Sequence, residues 1–293
     1  MCLIVWAVGV SSRWPLVIAA NRDEFWARPT LPLARWHTGA GQAITSGRDL
    51  RAGGTWMGMT PAGRVAFLTN VREPGVADPF WRSRGELVTR WLEGKSASAD
   101  DLVSALQAEA RLEPGGGEFG GFNLVLGDVA TGGWHWVSNR LDGLRVPPER
   151  WPSRRLAAGI YGVSNAALNT PWPKTVQLTT ALTDALAQSD TQAQLEATLW
   201  SALASRARCS PQQLPATGVP QAMELALSSV CVDFPEMAYG TRSSTLVVAT
   251  ARQGGASASK PWDVSIQEHT HAAGAPPSVQ RVAMQWSGVQ PDV

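Results

Sequence analysis

The residue best placed for chemistry is a cysteine at the second position of the chain, Cys2. If Met1 is removed, as happens before small residues, Cys2 carries a thiol and a free α-amino group. An α-amine has an ordinary pKa of about 7.7–8.0, so it can accept the thiol proton near neutral pH. One residue would then supply both nucleophile and base. The alternative is a small buried apolar residue, as most free cysteines are.

The first two predicted strands bring Cys2 to a charged tetrapeptide. Residues 3–10 and 14–20 are apolar runs joined by a short polar turn, a pattern that predicts a hairpin. Both faces of each run are apolar, as in strands that are covered on both sides. The second run continues into Asn21-Arg22-Asp23-Glu24, so this tetrapeptide lies at the end of the hairpin that holds Cys2.

Counting back from the turn shows which charged residue faces the thiol. With Ser11-Ser12-Arg13 as the loop, Cys2 lies opposite Arg22. A one-residue bulge in the turn would place Cys2 opposite Asp23 instead. Arg22 would stabilise a thiolate or a substrate carboxylate, and Asp23 could bind and orient the α-ammonium group.

The rest of the chain reads as strands, then helices, then strands. Further strands are predicted at residues 55–59, 64–69, 122–126, 134–137, 159–163, 245–249, 264–268 and 281–286. Helices are predicted at residues 83–92, 100–110, 174–187 and 191–204. This order predicts sheet layers with helices packed outside, in one domain that spans residues 1–293.

Composition excludes several classes of function. The net charge of +1 provides no basic field for nucleic acid. No segment reaches the roughly 18 apolar residues of a membrane-spanning helix, and the apolar start of the chain lacks the basic residues of a signal peptide. Cys2, Cys209 and Cys231 form no CxxC pair, which fits a reducing, cytoplasmic compartment.

The chain contains 14 tryptophans against 2 tyrosines and 6 phenylalanines. Tryptophan is large and carries one N–H donor, so it serves both packing and ligand binding. Packing in the core and on the surface explains most of these residues. An aromatic lining for a flat or hydrophobic ligand is the second interpretation.

Several short motifs together closely resemble the NRDE family, which is named after the tetrapeptide and includes homologues of transport and Golgi organisation protein two. The resemblance runs from the first residue to about residue 249. Besides Met1-Cys2-Leu3-Ile4-Val5 and Ala19-Ala20-Asn21-Arg22-Asp23-Glu24-Phe25, the matching segments are Arg28-Pro29, Ser46-Gly47-Arg48-Asp49, Gly53-Gly54-Thr55-Trp56-Met57-Gly58, Leu68-Thr69-Asn70, Gly120-Gly121-Phe122-Asn123-Leu124, Gly162-Val163-Ser164-Asn165, Thr170-Pro171-Trp172-Pro173-Lys174 and Tyr239-Gly240-Thr241-Arg242-Ser243.

The resemblance implies an α+β fold of the N-terminal nucleophile hydrolase type, a four-layer αββα sandwich with two antiparallel sheets between helical layers. Within that superfamily the family is most similar to bile-salt hydrolases and penicillin V acylases, which cleave linear amides. The implied catalytic set is Cys2 as nucleophile, Asp23 as the carboxylate that holds the amine, Arg22 as a looser match, Asn70 as an oxyanion-hole residue, Asn165 as a second asparagine and Arg242 as a late arginine.

Three of these residues have structural alternatives. Asn70 and Asn165 can cap turns, as asparagine often does. Arg242 can form an ion pair with Asp233 or Glu236.

Two functions therefore compete. The first is an amidohydrolase that acts on a small-molecule amide and requires no cofactor. The second is a binding or trafficking protein for haem or another hydrophobic ligand, because members of the family are associated with haem movement. A haem ligand would come from Cys2, Met57 or one of four scattered histidines, His37, His135, His269 and His271, whose spacing forms no metal motif.

Overall fold

The computed structural model describes residues 2–74, 82–112, 119–252, 259–272 and 274–289. Two antiparallel sheets carry most of these residues. The strands are β1 Cys2–Val8, β2 Leu16–Phe25, β3 Thr30–His37, β4 Ala43–Asp49, β5 Met57–Met59, β6 Arg64–Asn70, β7 Phe122–Asp128, β8 Gly133–Ser138, β9 Arg140–Leu141, β10 Leu144–Arg145, β11 Ser153–Leu156, β12 Gly159–Val163, β13 Asp233–Phe234, β14 Tyr239–Ala251, β15 Ser259–Ala272 and β16 Ala275–Val289.

The first sheet has the strand order β12-β1-β2-β14-β15-β16, with β13 attached to β14. The second sheet has the order β11-β8-β7-β6-β5-β4-β3, and β9 and β10 form a separate small ribbon. The five described helices are α1 Gly85–Leu92, α2 Ala99–Leu112, α3 Pro173–Gln188, α4 Gln192–Leu203 and α5 Gln221–Ala226.

Three apolar clusters show how these elements are layered. The cluster between the sheets contains Ile4 and Trp6 from β1 together with Phe67 and Val125 from the second sheet. Alternate residues of the same strands point outward, because successive side chains of a strand face opposite sides. The outward residues of the first sheet pack on α3 and α4, and those of the second sheet on α1 and α2. The four-layer αββα architecture is therefore confirmed.

The register of the first hairpin is the one without a bulge. Cys2 pairs with Arg22, Leu3 with Asn21 and Val8 with Leu16. The tetrapeptide lies inside β2 rather than beyond its end, because β14 pairs with β2 from Leu16 to Phe25 on the other side. The strand continues through these polar residues because β14 satisfies its backbone groups as far as Phe25, while β1 pairs with it as far as Arg22.

Most predicted elements are confirmed, and the missed ones include the strands β3 and β4 and several short elements, namely β9, β10, β11, β13 and α5. The hairpins β5–β6 and β7–β8 and the strand β12 lie where the sequence places them. Ser98 caps α2, since its Oγ accepts the Asp101 N–H at 3.1 Å. Half of the residues of the missed strand β3 are exposed, and it contains Pro32. The missed strand β4 has buried polar residues, Thr45 and Ser46 among them, so neither strand shows a clear hydrophobic pattern. None of the described helices combines the length and the apolar character that a membrane crossing requires.

Packing across the second sheet depends on a missing side chain at Gly127. A Cβ atom at Gly127 would lie 2.7 Å from two ring atoms of Trp134, whereas a Cβ at Gly39 would meet nothing within 4 Å. We expect Gly127→Ala to lower the free energy of unfolding by about 1–3 kcal/mol, the usual cost of overpacking a core. Gly39→Ala is the control and should change it by less than about 0.5 kcal/mol. Urea unfolding measures both, and equal values for the two variants would contradict this packing.

Candidate active site

Strand alternation divides the tetrapeptide between two environments. Cys2 and Ala20 belong to the apolar cluster between the sheets, whereas Leu3 and Ala19 belong to the cluster under α3 and α4. Arg22, paired with Cys2, therefore faces the space between the sheets, and Asn21 and Asp23 face the helices. One short segment thus places its cation beside the thiol and its buried carboxylate behind it.

Asn21 anchors the hairpin to the helical layer. Its Nδ2 donates hydrogen bonds of 2.9 Å to the carbonyl oxygens of Leu203 and Val230. Leu203 ends α4, so these bonds satisfy a carbonyl that the helix itself leaves open. The role of Asn21 is structural, and it fixes the strand on which Arg22 and Asp23 lie.

Arg22 is 5% exposed and is held by charge and by an aromatic ring. Its Nη2 lies 3.5 Å from Glu24 Oε2 and 3.6 Å from Asp49 Oδ2, and its guanidinium carbon lies 4.3 Å from the Trp56 ring centroid. Its Nη1 has no hydrogen-bond partner among the described residues. A buried, ordered cation with an open donor is suited to binding a substrate oxygen.

Asp23 is 1% exposed and lies on the opposite side of the strand. Its Oδ1 accepts a hydrogen bond of 2.7 Å from Thr241 Oγ1, and its backbone oxygen accepts one of 2.8 Å from the Tyr239 hydroxyl. Burial raises the pKa of Asp23, and the charge of Lys174 is the strongest influence that lowers it. The carboxylate is therefore oriented by β14 and depends on nearby cations to stay ionised.

The thiol of Cys2 lies at the start of β1 and is buried, with 6% of the residue exposed. Burial and the charge of Asp23 raise the pKa of Cys2, whereas Arg22 lowers it. The carbonyl of Cys2 accepts a hydrogen bond of 3.1 Å from Ser164 Oγ. Met1, whose removal the sequence predicts, lies outside the described residues. The thiol requires a proton acceptor to become a nucleophile, because burial disfavours the thiolate.

The two candidate asparagines are joined to each other. Asn165 Nδ2 donates a hydrogen bond of 2.8 Å to the backbone oxygen of Asn70 at the end of β6. The backbone oxygen of Asn165 accepts the Arg72 N–H at 2.7 Å, and its Oδ1 accepts Ser164 Oγ at 3.2 Å. Asn165 therefore positions the segment after β6 relative to Cys2, while Asn70 lines a cavity. Their catalytic roles remain predictions.

Arg242 lies on β14 and holds the turn that follows β2. Its Nη1 donates hydrogen bonds of 2.9, 2.9 and 3.1 Å to three backbone oxygens, those of Phe25, Trp26 and Arg28. Within the described part of the chain it forms no ion pair with Asp233 or Glu236. The geometry shows Arg242 supporting the strand that carries Arg22, and a direct catalytic role remains a prediction.

Two cavities share Arg84 in their linings, and the larger one reaches the first hairpin at Arg22 and Glu24. The larger has a volume of about 470 Å³ and is lined by Arg22, Trp56 and Arg84 among others. The smaller has a volume of about 400 Å³ and is lined by Asn70, Arg72 and again Arg84. Arg84 precedes α1, and its Nη1 donates to the Gly121 oxygen at 3.1 Å. It therefore separates the side of the site that holds Arg22 from the side that holds Asn70.

Sequence reasoning missed several charged residues around this site. The structure adds Arg84, the buried ion pair of Arg72 with Glu224, and two further buried residues, Lys174 and Glu268. Lys174 belongs to a motif that supported the family resemblance, and this was the one available signal. Arg72 and Glu224 are separated by 152 residues, so no local pattern could pair them.

The residues considered for haem ligation lie apart from one another. His135 Nε2 is 2.6 Å from Ser153 Oγ, His271 Nε2 is 2.9 Å from Ser244 Oγ, and His269 stacks on Trp200. His37 is exposed and Met57 is buried between the sheets. Among the described residues no three histidine, cysteine or acidic side chains form a metal cluster. Haem binding remains a prediction.

Glu268 gives the region near Arg22 a measurable pH dependence. This residue is 2% exposed and accepts the Leu33 N–H at 2.7 Å, and burial raises its pKa. A raised carboxyl pKa contributes stability that is fully present below the unfolded value of about 4.3 and is lost as pH rises through the folded value.

We therefore expect Glu268→Gln to remove this loss, because the neutral amide keeps one acceptor oxygen for the Leu33 N–H but cannot ionise. Urea unfolding of wild type and variant across this mildly acidic range measures the difference. The control is Glu149→Gln, whose side chain is 58% exposed, and it should keep the wild-type pH slope. Parallel slopes for wild type and Glu268→Gln would contradict the assignment.

Two hydrolases are among the solved structures whose fold is similar to this one. An N-acylethanolamine-hydrolyzing acid amidase orthologue from Caenorhabditis elegans has a TM-score of 0.47 and 13% identity, covering 84% of this chain and 92% of that chain. The C2A mutant of conjugated bile acid hydrolase from Clostridium perfringens has a TM-score of 0.49 and 9% identity, covering 97% and 92%. Likenesses at this level transfer no residue roles.

Several curated proteins are more similar to this chain in sequence than these two structures are. The human Transport and Golgi organization protein 2 homolog is 33% identical over 246 residues, which cover 80% of this chain and 82% of that protein. Transport and Golgi organization protein 2 of Drosophila melanogaster is 28% identical over 262 residues, which cover 85% and 87%. Residues 1–258 match the model of the family described as Transport and Golgi organisation 2. The chain therefore belongs to the Transport and Golgi organisation 2 family.

Proposed function

We propose that the protein is an amidohydrolase that uses Cys2 as an N-terminal nucleophile after removal of Met1. The observation that carries the proposal is the pairing of Cys2 with Arg22 while Asp23 lies behind the strand. This register places a thiol, a cation and an oriented carboxylate at the first residue of one strand. No cofactor is required for chemistry of this kind.

The first step transfers the thiol proton to the α-amine of Cys2 as Sγ attacks the carbonyl carbon of the amide. The electron pair of the carbonyl moves to oxygen, so a tetrahedral intermediate with an oxyanion forms. Asp23, oriented by Thr241, would hold the amine that receives the proton. The amine lies on the same residue as the thiol, so no distant base has to be positioned.

Stabilising the oxyanion requires donors aimed at it. Arg22 and Asn70 are the candidate donors, because each lines one of the two cavities and the buried Nη1 of Arg22 has no partner among the described residues. Donors of this type lower the barrier by about 2.7–4 kcal/mol each. Asn165 and Arg242 support them from behind, the first through the backbone of Asn70 and the second through the turn after β2.

The intermediate then collapses and the C–N bond breaks. The α-ammonium of Cys2 returns its proton to the leaving amine, and an acyl thioester remains on Sγ. Water adds to the thioester with the α-amine again as base, which releases the carboxylic acid and restores the thiol. The thiol must stay reduced, and the free state of Cys2, Cys209 and Cys231 suits the cytoplasm.

The lining of the larger cavity indicates the kind of substrate. It includes five arginines and two acids among the described residues: Arg22, Arg28, Arg51, Arg82, Arg84, Glu24 and Asp49. Such a surplus of cations favours a small linear amide that also carries a negative group.

Carriage of a hydrophobic ligand is the second candidate function. A cavity of about 210 Å³ is lined mainly by apolar side chains, Trp134 and Trp262 among them. Val8 and Leu16, at the turn end of the first hairpin, also line it, so it lies away from Cys2. A carrier would bind ligand without turnover, and a haem carrier would show a saturable Soret shift.

The first test replaces the nucleophile. We expect Cys2→Ala to abolish hydrolysis of fluorogenic N-acyl amides that bear a carboxylate, because the variant cannot form the thioester. Cys209→Ala is the matched control and should keep wild-type turnover. A thermal unfolding midpoint close to that of the wild type shows that each variant keeps the fold. Turnover by Cys2→Ala at the wild-type rate would refute the proposal.

The second test measures the influence of Arg22 on the thiol. We expect Arg22→Met to slow alkylation of Cys2 by iodoacetamide about tenfold at neutral pH, because a shift of one pKa unit changes the thiolate fraction by that factor. Arg22→Lys keeps the charge and should react at a rate close to wild type. Peptide mass spectrometry resolves alkylation at Cys2 from that at Cys209. Unchanged rates in Arg22→Met would show that the cation does not act on the thiol.

A further inference from the structure

A buried ammonium group lies next to the site and has no role in the chemistry described so far. Lys174 is the second residue of α3 and is 2% exposed. Its Nζ has no hydrogen-bond partner and no carboxylate at ion-pair distance among the described residues. Burying an unpaired charge is costly, so a lysine in this position requires a compensating function or charge.

The surroundings of Lys174 are charged and balanced. Burial has the largest effect on the pKa of Lys174. The charged groups that act on this pKa are, from the strongest to the weakest, Asp23, Arg72, Cys2 and Glu224. Arg72 forms a buried ion pair with Glu224 and stacks on Trp172, the residue that precedes α3, at 4.7 Å. The group of Asp23, Lys174, Arg72 and Glu224, which we call the buried quartet, therefore holds two cations and two acids.

Other titratable groups in the vicinity leave this balance unchanged. Tyr239 contacts Asp23 through its hydroxyl, and its pKa is raised well above the ordinary value by burial, so it stays neutral. Cys231 also stays neutral, because burial raises the pKa of its thiol. The charges of Arg22 and Glu24 balance each other on the far side of β2, where the two side chains form an ion pair. The charge of Arg206 is balanced by Asp233 at 2.8 Å.

We propose that Lys174 is a positioning residue that balances Asp23 and so keeps the α-amine of a mature Cys2 uncharged and able to accept the thiol proton. The inference rests on the proposed function, because it concerns the amine that would act as base there. Lys174 acts through Asp23 and does not touch the substrate.

The number of buried charges around Lys174 determines whether the α-amine is protonated. With Lys174 protonated the buried quartet is neutral, and an added ammonium on Cys2 would be an unbalanced charge in a poorly solvated place. Without Lys174 the group carries one negative charge, which favours the protonated amine. A protonated amine cannot take the proton of the thiol. Burial lowers the pKa of Lys174 to about 8, against the opposing effect of Asp23, so the balance holds at neutral pH.

The test uses the full chain produced behind a cleavable leader, so that it begins at Cys2. Competitive labelling of the α-amine with acetic anhydride between about pH 5 and pH 10 gives its pKa by mass spectrometry. We expect Lys174→Met to raise this pKa by about one unit and Glu224→Gln, which removes an acid, to lower it by a similar amount. The double variant again has equal numbers of buried cations and acids, so the pKa of its α-amine should be close to the wild-type value.

A merely structural role predicts a different pattern. Loss of packing would shift the pKa of the α-amine in the same direction in all three variants, or would leave it unchanged in all three. Either result would overturn the inference. If Lys174→Met fails to fold, the α-amine pKa of Glu224→Gln tests the proposal alone. A pKa that is not lower than in the wild type would refute it.

Labelling needs no substrate, so the two proposals can fail separately. Opposite pKa shifts without turnover of any amide would refute the amidohydrolase and leave the role of Lys174 standing. Where turnover occurs, the acid limb of kcat/KM should move with the labelled pKa in each variant.

Discussion

The site depends on the alternation of side chains along β2. Because successive residues face opposite sides, Arg22 can lie beside the thiol of Cys2 only if Asn21 and Asp23 face the helices. A shift of the register by one residue would put the carboxylate between the sheets and the guanidinium under α3 and α4. The bulge-free turn and the pairing with β14 therefore decide which charge meets the nucleophile.

The same arrangement explains why so many polar residues are buried here. Asn21 satisfies carbonyls of the helical layer, Thr241 and Tyr239 bind Asp23, and Asp49 and Glu24 hold Arg22. These contacts come from α4, β14, β4 and β2 itself. A sheet that is covered on both faces can hold charges of opposite sign on its two sides, because the strand separates them. Each buried charge then needs a partner or a balancing charge nearby.

Local sequence patterns predicted much of the fold but only part of the candidate site. Counting from the turn left two registers for Cys2, opposite Arg22 or opposite Asp23, and the structure has the first. The hairpins β5–β6 and β7–β8 were visible as apolar runs bounded by turn residues. The strands β3 and β4 were not, because half of the residues of β3 are exposed and β4 buries polar residues. Asn165, placed by motif, proved to bind the backbone of Asn70. Lys174 and the pair of Arg72 with Glu224 come together only through tertiary contacts, which no spacing along the chain encodes.

Cys2 can act as an N-terminal nucleophile only if it is the first residue of the mature protein. Intact-mass spectrometry of protein purified from its native host tests this most directly, because it reports the state of Met1 and any acyl group on the thiol together. We predict a chain that begins at Cys2, with an acyl adduct that accumulates when the protein is quenched during turnover. A fully active protein that retains Met1 would contradict it, since the α-amine of Cys2 would then be locked in a peptide bond.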